Sequence, residues 1–231
     1  MVILIIVIGF AIVSFAVQRR LKNKFKKYSQ IALSSQLSGK EAAEKMLRDN
    51  GIYDVKVMSV EGQLTDHYNP ANKTVNLSPE VYGMRSAAAV AIAAHEVGHA
   101  VQHAKAYAFL EMRSALVPIQ NVSAKIMNFI FMAMIFGAFL LPQFINYQLA
   151  LMVIIGCYTV FTLFAFITLP VEFDASKRGL AWMTASGVVN SREHEMAKDA
   201  LKWAAMTYVV AAIASLVTLL YYIMMFLGNR D

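Results

Sequence analysis

The chain has 231 residues, of which 58% are hydrophobic, and its mean hydropathy is +0.51. This composition is too apolar for a soluble globular protein and predicts a membrane protein. The formal net charge of +6 comes from Lys and Arg beside apolar runs, which indicates contact with anionic lipid and gives no sign of a nucleic-acid partner. The single cysteine, Cys157, excludes an intrachain disulfide and therefore a disulfide-stabilised secreted fold.

An uncharged apolar run at residues 1–17 predicts the first membrane span, because as a helix it would be about 26 Å long. A dense group of basic residues follows it, from Arg19 to Lys27. A cleavable signal peptide would carry its positive charges before the apolar core, so we expect a retained anchor. The basic group predicts that the N-terminus lies outside and that the next segment lies in the cytoplasm.

Residues 18–123 are soluble in character and predict a cytoplasmic α+β domain. Ser38-Gly-Lys-Glu41 is a capping box that begins a helix, and Gly51 ends that helix. Pro79 starts a short helix, and a longer one begins near Ser86. Between Gly51 and Pro79, alternating runs predict a small antiparallel sheet whose edge strand could hold an extended peptide. Its strands are expected at 55–60, 64–68 and 74–77, with a turn at 69–72.

The second half of the chain predicts three further spans. No charged residue occurs at 126–171, which is long enough for two spans joined by a turn at 142–146. Lys125 and Glu172 flank this hairpin, so both of its ends return to the cytoplasmic side. A last apolar run follows an amphipathic stretch at 192–203 that Asn190 and Glu193 could cap.

The predicted fold class is therefore a mainly α membrane protein with four transmembrane helices and both termini outside. It carries a cytoplasmic α+β domain with a small sheet. The predicted order along the chain is an N-terminal anchor at 1–17, the cytoplasmic domain at 18–123, a transmembrane hairpin at 124–170, cytoplasmic helices at 171–203 and a last span at 204–227.

An HExxH motif, His95-Glu96-Val97-Gly98-His99, lies in an alanine-rich stretch that favours a helix. Four residues apart, His95 and His99 project from one helix face, and this spacing suits one zinc ion. Glu96 lies one step round the helix, where it could take a proton from water at the metal. Gly98 costs about 1 kcal/mol of helix stability relative to Ala and would open room beside the metal. The alternative interpretation, two surface histidines and a solvated Glu, conflicts with the apolar flanks.

A catalytic zinc site of this kind needs a third protein ligand. Glu172 is the leading candidate because it is the first charge after the hairpin, which would carry it back beside the HExxH helix. Glu172 could instead be an interfacial charge at the end of a span. Asp174 competes with it as a ligand, or as an acceptor for the N–H of a ligand histidine.

Three further histidines lie outside the HExxH motif. His103 lies one turn beyond His99, too far along the helix to bind the same ion as His95, so we expect it near the ligands or on a polar surface. His67 and His194 are candidates for a hydrogen-bond donor to an oxyanion, although a structural or surface role is an alternative for each.

Four segments together resemble the bacterial neutral zinc metallopeptidases of the YugP type: LTDHYNPANKTVNLSPEVY, AAHEVGHAVQHA, RSALVP and LPVEFDASKRGL. More distantly, the chain is similar to the HtpX-like and CAAX-processing membrane gluzincins. The resemblance implies a zincin-like domain in which His95, His99 and Glu172 bind one zinc ion and Glu96 is the catalytic base. The distant relatives carry Asp four residues after the ligand Glu; this chain has Ser176 there, and Asp174 could substitute for that carboxylate.

We therefore expect a zinc metalloendopeptidase of the bacterial plasma membrane that cleaves proteins or peptides, membrane-associated ones above all, at the cytoplasmic face. The alternative is a non-catalytic membrane scaffold with a structural or vacant metal site, which four protein ligands to the metal would favour. A transporter is disfavoured because residues 126–171 contain no charge.

Overall fold

The computed structural model describes residues 1–140 and 146–228. Residues 142–145 of the predicted hairpin turn lie outside this description. In chain order the elements are α1 (Val2–Ser29), α2 (Gly39–Asp49), β1 (Lys56–Ser59), β2 (His67–Asn69), β3 (Thr74–Leu77), α3 (Pro79–Gly83), α4 (Ala87–Ala104), α5 (Ala108–Leu140), α6 (Tyr147–Ala185) and α7 (Ser191–Gly228).

Four of these helices, α1, α5, α6 and α7, are long and apolar enough to cross a membrane, judged by length and composition. The predicted mainly helical fold with four long apolar helices and a small sheet is confirmed. Each apolar run is only part of its helix, however. α1 continues through the basic residues to Ser29, and α6 continues past Glu172 to Ala185, because these polar extensions contain no proline and consist mostly of residues that a helix tolerates well.

The chain forms two compact units. The first comprises Met1–Ser14, Met112–Thr168 and the chain from Tyr208 onward, and it contains most of the apolar length of the four long helices. Large apolar side chains such as Leu4, Phe129 and Met224 are exposed on it. Exposed apolar surface of this extent fits a lipid environment.

The second unit comprises Phe15–Glu111 and Leu169–Thr207. Its core packs the amphipathic helix α2 against α4, and the alanine-rich first half of α4 is almost entirely buried. The small alanine side chains allow neighbouring elements to pack close to α4. Larger side chains such as Met46 of α2 and Val97 of α4 fill the rest of the core.

The sheet has the order β1-β3-β2. β2 and β3 form the predicted antiparallel hairpin, but β1 pairs with β3 in parallel, so the sheet is mixed and the prediction of a wholly antiparallel sheet was wrong for β1. β3 carries the buried side chains Val75 and Leu77 and therefore takes the central position. With β2 on one side of β3, β1 can add only to the other. This order leaves β2 as an edge strand.

The predicted helix starts are present in the structure. Ser38 and Glu41 form the complete capping box of α2, and Ser86 caps α4 by accepting from the N–H of Ala89 at 3.2 Å. At the start of α7, Asn190 Oδ1 accepts from the N–H of Glu193 at 3.0 Å, and Glu193 Oε2 accepts from the N–H of Asn190 at 2.9 Å. These local hydrogen bonds fix where the helices of the second unit begin.

Candidate metal centre

The two motif histidines lie on one face of α4, as their spacing predicts. The ring centroids of His95 and His99 are 4.8 Å apart, and the rings are nearly perpendicular. His99 is buried and His95 is partly buried. The apolar surroundings of α4 thus present two imidazoles side by side in a place from which water is largely excluded.

Glu172 of α6 completes the cluster and is 2% exposed. Its Oε2 lies 3.3 Å from Nε2 of His95 and 3.6 Å from Nε2 of His99. The three potential ligand atoms lie within 4.8 Å of one another, and no second such group occurs among the described residues. Ligands about 2.0–2.2 Å from a zinc ion are roughly 3.3–3.6 Å apart in a tetrahedron, so this cluster fits one ion.

The other nitrogen of each ring is also engaged. Nδ1 of His95 is 3.0 Å from Oγ of Ser176, and Nδ1 of His99 is 3.0 Å from Oε1 of Gln102. A histidine that binds zinc through Nε2 donates its Nδ1–H to such an oxygen. Two imidazoles and one carboxylate are the donor set of many catalytic zinc sites, so the residues present fit zinc.

Electrostatics favour positive charge within this cluster. Burial is the largest single influence on the pKa of His99 and would lower it, but the hydrogen bond and charge of Glu172, together with Glu96 and Gln102, outweigh burial and raise this pKa. A carboxylate buried as deeply as that of Glu172 needs a cationic partner to offset its lost hydration. A divalent ion bound between the three side chains would supply that charge.

Glu96 is hydrogen-bonded to the sheet. It is buried, and its Oε2 accepts a hydrogen bond from the N–H of Tyr68 at 2.9 Å. Since Tyr68 belongs to edge strand β2, that strand runs beside the motif. Asp66 lies nearby; burial raises its pKa, even though the N–H and hydroxyl of Ser78 both donate to its carboxylate.

Two glycines allow α4 and α6 to approach closely. A Cβ at Gly98 would lie 2.5 Å from the carbonyl oxygen of Ala175, and a Cβ at Gly179 would lie 3.0 Å from the carbonyl group of Ala94. Gly98 thus makes room for the backbone of α6. The sequence analysis had instead predicted that it opens room beside the metal. Gly179 was missed, although a glycine seven residues after Glu172 in a helix-favouring stretch was a signal of close packing.

Asp174 contacts neither ligand imidazole in the described structure. Its Oδ2 accepts from Nε2 of Gln102 at 2.8 Å and from Nε of Arg178 at 2.5 Å. Gln102, which the sequence did not single out, stands between Asp174 and His99. The only sequence signal for Gln102 was its position one turn after His99 on the same helix face.

The remaining histidines lie in other surroundings. Nδ1 of His103 is 2.8 Å from the hydroxyl of Tyr68. His67 is exposed, with Nδ1 2.8 Å from the carbonyl oxygen of Thr65. His194 lies 3.7 Å from the carboxylate of Glu195. These contacts give His67 and His194 local partners, and the oxyanion role stays a prediction for both.

A family comparison agrees with this chemistry. Residues 3–227 match the family described as "Putative neutral zinc metallopeptidase", and the chain therefore belongs to this family of zinc peptidases, whose substrates are proteins. A relative from Bacillus subtilis (strain 168), described as "Putative membrane protease YugP", is 40% identical over 219 residues, which cover 94% of this chain and 93% of the relative. The resemblance drawn from the sequence is confirmed. No solved structure shows a significant match.

Proposed function

We propose that the chain is a zinc-dependent metalloendopeptidase that hydrolyses peptide bonds of membrane-associated proteins. One observation carries the proposal: two Nε2 atoms of an HExxH helix and a carboxylate oxygen from α6 converge within 4.8 Å in a member of a zinc peptidase family. His95, His99 and Glu172 are the proposed ligands of one zinc ion. Glu96 is the proposed general base.

Bound zinc supplies Lewis acidity, which acidifies water and polarises the carbonyl of the substrate. Glu96 takes a proton from the water whose oxygen attacks the carbonyl carbon. As the C–N bond breaks, Glu96 passes that proton to the departing nitrogen, so the products are a carboxylic acid and an amine. The N–H of Tyr68 holds Oε2 of Glu96, which leaves Oε1 to carry the proton.

The proposed site of action is the cytoplasmic face of the bacterial plasma membrane, with both termini outside. The basic residues that follow the first apolar run support this orientation. Under this proposal, 18–123 and 171–203 form the cytoplasmic part, and 1–17, 124–170 and 204–227 lie in the bilayer. Edge strand β2, beside Glu96, is a suitable place for an extended substrate segment to pair.

Zinc content and proteolysis measured together test the chemistry. The purified protein in detergent is expected to contain one zinc per chain and to degrade casein or a membrane protein. Glu96→Gln should keep its zinc and lose activity by about 10²- to 10⁴-fold. His95→Ala and Glu172→Ala should lose both. Full activity in Glu96→Gln would contradict its role as the general base, and one zinc per chain in His95→Ala would contradict the ligand set. A wild-type protein that holds zinc but cleaves no substrate would favour a scaffold with a structural metal.

Cysteine labelling tests the orientation. Tyr53 is 81% exposed in the second unit, so Tyr53→Cys can be labelled there in a chain whose Cys157 is replaced by Ser. A membrane-impermeant maleimide should label this residue in inverted membrane vesicles and leave it unlabelled in intact spheroplasts. The reverse result would place the site outside the cytoplasm.

A further inference from the structure

Gln102 is a fully buried amide, 0% exposed, between α4 and α6. Its Nε2 lies 2.8 Å from the backbone carbonyl oxygen of Val171 and 2.8 Å from Oδ2 of Asp174. Its Oε1 lies 3.0 Å from Nδ1 of His99. A buried amide with every polar atom hydrogen-bonded has a defined structural task, because leaving such a group unpaired costs about 1–3 kcal/mol.

The partners of Gln102 determine its orientation. A carbonyl oxygen and a carboxylate can only accept, so the NH₂ group must face Val171 and Asp174. The amide oxygen must then face His99, and the imidazole nitrogen opposite it must carry the proton. This arrangement leaves the lone pair of His99 on Nε2, the atom that faces Glu172.

Asp174 is itself held in place. Arg178, one turn further along α6, donates from Nε to Oδ2 of Asp174 at 2.5 Å. The Arg178 guanidinium lies over the ring of Tyr107, 5.7 Å from its centroid. A guanidinium fixed in this way keeps the carboxylate charged and aimed at the Gln102 amide.

His95 has a different arrangement. Its Nδ1 faces the hydroxyl of Ser176, which can either donate or accept and therefore does not fix the protonation of the ring. The two histidines therefore differ. The hydrogen bonds of Gln102 allow only one position for the proton of His99, whereas the hydroxyl of Ser176 allows either position for the proton of His95.

We propose that Gln102, Asp174 and Arg178 form a positioning relay that holds His99 with its proton on Nδ1 and its Nε2 directed at the metal. The inference rests on the zinc site of the proposed function and deepens it. Gln102 also donates to the carbonyl oxygen of Val171, the residue before Glu172. One side chain thus positions both the ligand His99 on α4 and the ligand Glu172 on α6. Gln102 is a positioning residue and does not touch substrate.

Zinc affinity, measured by competition with a chromophoric chelator on the full-length protein in detergent, tests the relay. Gln102→Leu is expected to weaken zinc binding by about 10- to 100-fold. Gln102→Glu alone should also weaken it, because two carboxylates would then adjoin. Combining Gln102→Glu with Asp174→Asn exchanges amide and carboxylate and should restore most of the affinity. Gln63→Leu, at an exposed glutamine bonded to Glu80, is the matched control and should bind as wild type.

A role in packing alone predicts a different pattern. Gln102→Leu would then lower the melting temperature of the zinc-free protein and leave its zinc affinity unchanged. The double variant with Gln102→Glu and Asp174→Asn would bind zinc no better than Gln102→Glu alone. These results would overturn the relay. If Gln102→Leu does not fold, Asp174→Ala provides a second test, because it keeps the hydrogen bond between Gln102 and Val171. This variant should bind zinc more weakly than the wild type, and an unchanged zinc affinity would also overturn the relay. Failure of the wild type to bind one zinc would instead overturn the proposed function.

Discussion

Glu193 accepts hydrogen bonds from both the backbone N–H and the hydroxyl of Ser34, each at 2.7 Å, across 159 residues of sequence. The same carboxylate also accepts from the N–H of Asn190 at the start of α7. Glu193 is buried, so one side chain both caps α7 and ties it to the segment that follows α1. This role makes it a sensitive point for the stability of the second unit.

Glu193→Ala is predicted to destabilise the protein by about 1.5–3 kcal/mol, because three donors lose a charged acceptor. For a chain of this size the loss corresponds to a fall in melting temperature of roughly 4–10 °C. Thermal unfolding in detergent measures it. Glu195→Ala removes an exposed carboxylate two residues away and should change the melting temperature little. Equal effects of the two substitutions would refute the proposed role of Glu193.

Gly98→Ala is predicted to destabilise the protein by about 1–3 kcal/mol and to weaken zinc binding, because the new Cβ would meet the backbone of Ala175 at 2.5 Å. Gly179→Ala should have a smaller effect, since its closest contacts are at 3.0 Å. Gly156→Ala in α6 is the matched control: nothing lies within 4 Å of its Cβ, so stability should hold or rise by up to about 1 kcal/mol. Tolerance of Gly98→Ala would show that α4 and α6 are further apart than described.

Tyr68→Pro is predicted to lower the rate of hydrolysis by roughly 10- to 100-fold while zinc content stays constant, because it removes the N–H that holds Glu96. A proline is tolerable there, since this N–H points away from the ladder on an edge strand. Tyr68→Phe keeps the N–H, loses only the hydroxyl beside His103, and serves as the control. Similar kinetics for both variants would show that this hydrogen bond does not position the base.

Glu41 should contribute stability that depends on pH. Hydrogen bonds from the N–H and hydroxyl of Ser38 lower its pKa, with a further contribution from Arg85. Its contribution is therefore complete above the ordinary pKa of a glutamate, near 4.3, and is lost as the pH falls through the lowered value. The melting temperatures of wild type and Glu41→Gln should differ at pH 7 and converge in acid. A gap that stays constant with pH would argue against a charged capping box.

Local signals predicted much of this structure. The capping boxes at Ser38 and Asn190 and the pairing of His95 with His99 depend on residues within one helical turn, so spacing alone was sufficient. Glu172 was harder to predict, because its place depended on how the chain returns after 126–171. It was preferred over Asp174 because it is the first charge after the hairpin, and the resemblance to a family implied the same ligand.

Other features depend on contacts that spacing does not reveal. The pairing of β1 with β3 depends on β3 being the most deeply buried strand. The positions of the strands in the sequence do not reveal which strand is central in the sheet. Gln102 and Ser176 acquire their roles only when α4 and α6 meet. Hydropathy located the apolar runs but not the helix ends, since a helix such as α6 continues into polar sequence where lipid contact would end.

The polar half of α1 has a practical consequence for any truncation of the chain at its N-terminal end. Phe25 and Tyr28 are part of the core of the second unit, and Lys24 and Tyr28 both contact Asp199 of α7, at 2.6 and 2.5 Å. A truncation that deletes α1 entirely would take these residues with it and expose the apolar surface they cover. A shortened chain that begins near Phe15 would remove most of the apolar anchor and keep the buried pair Phe25 and Tyr28.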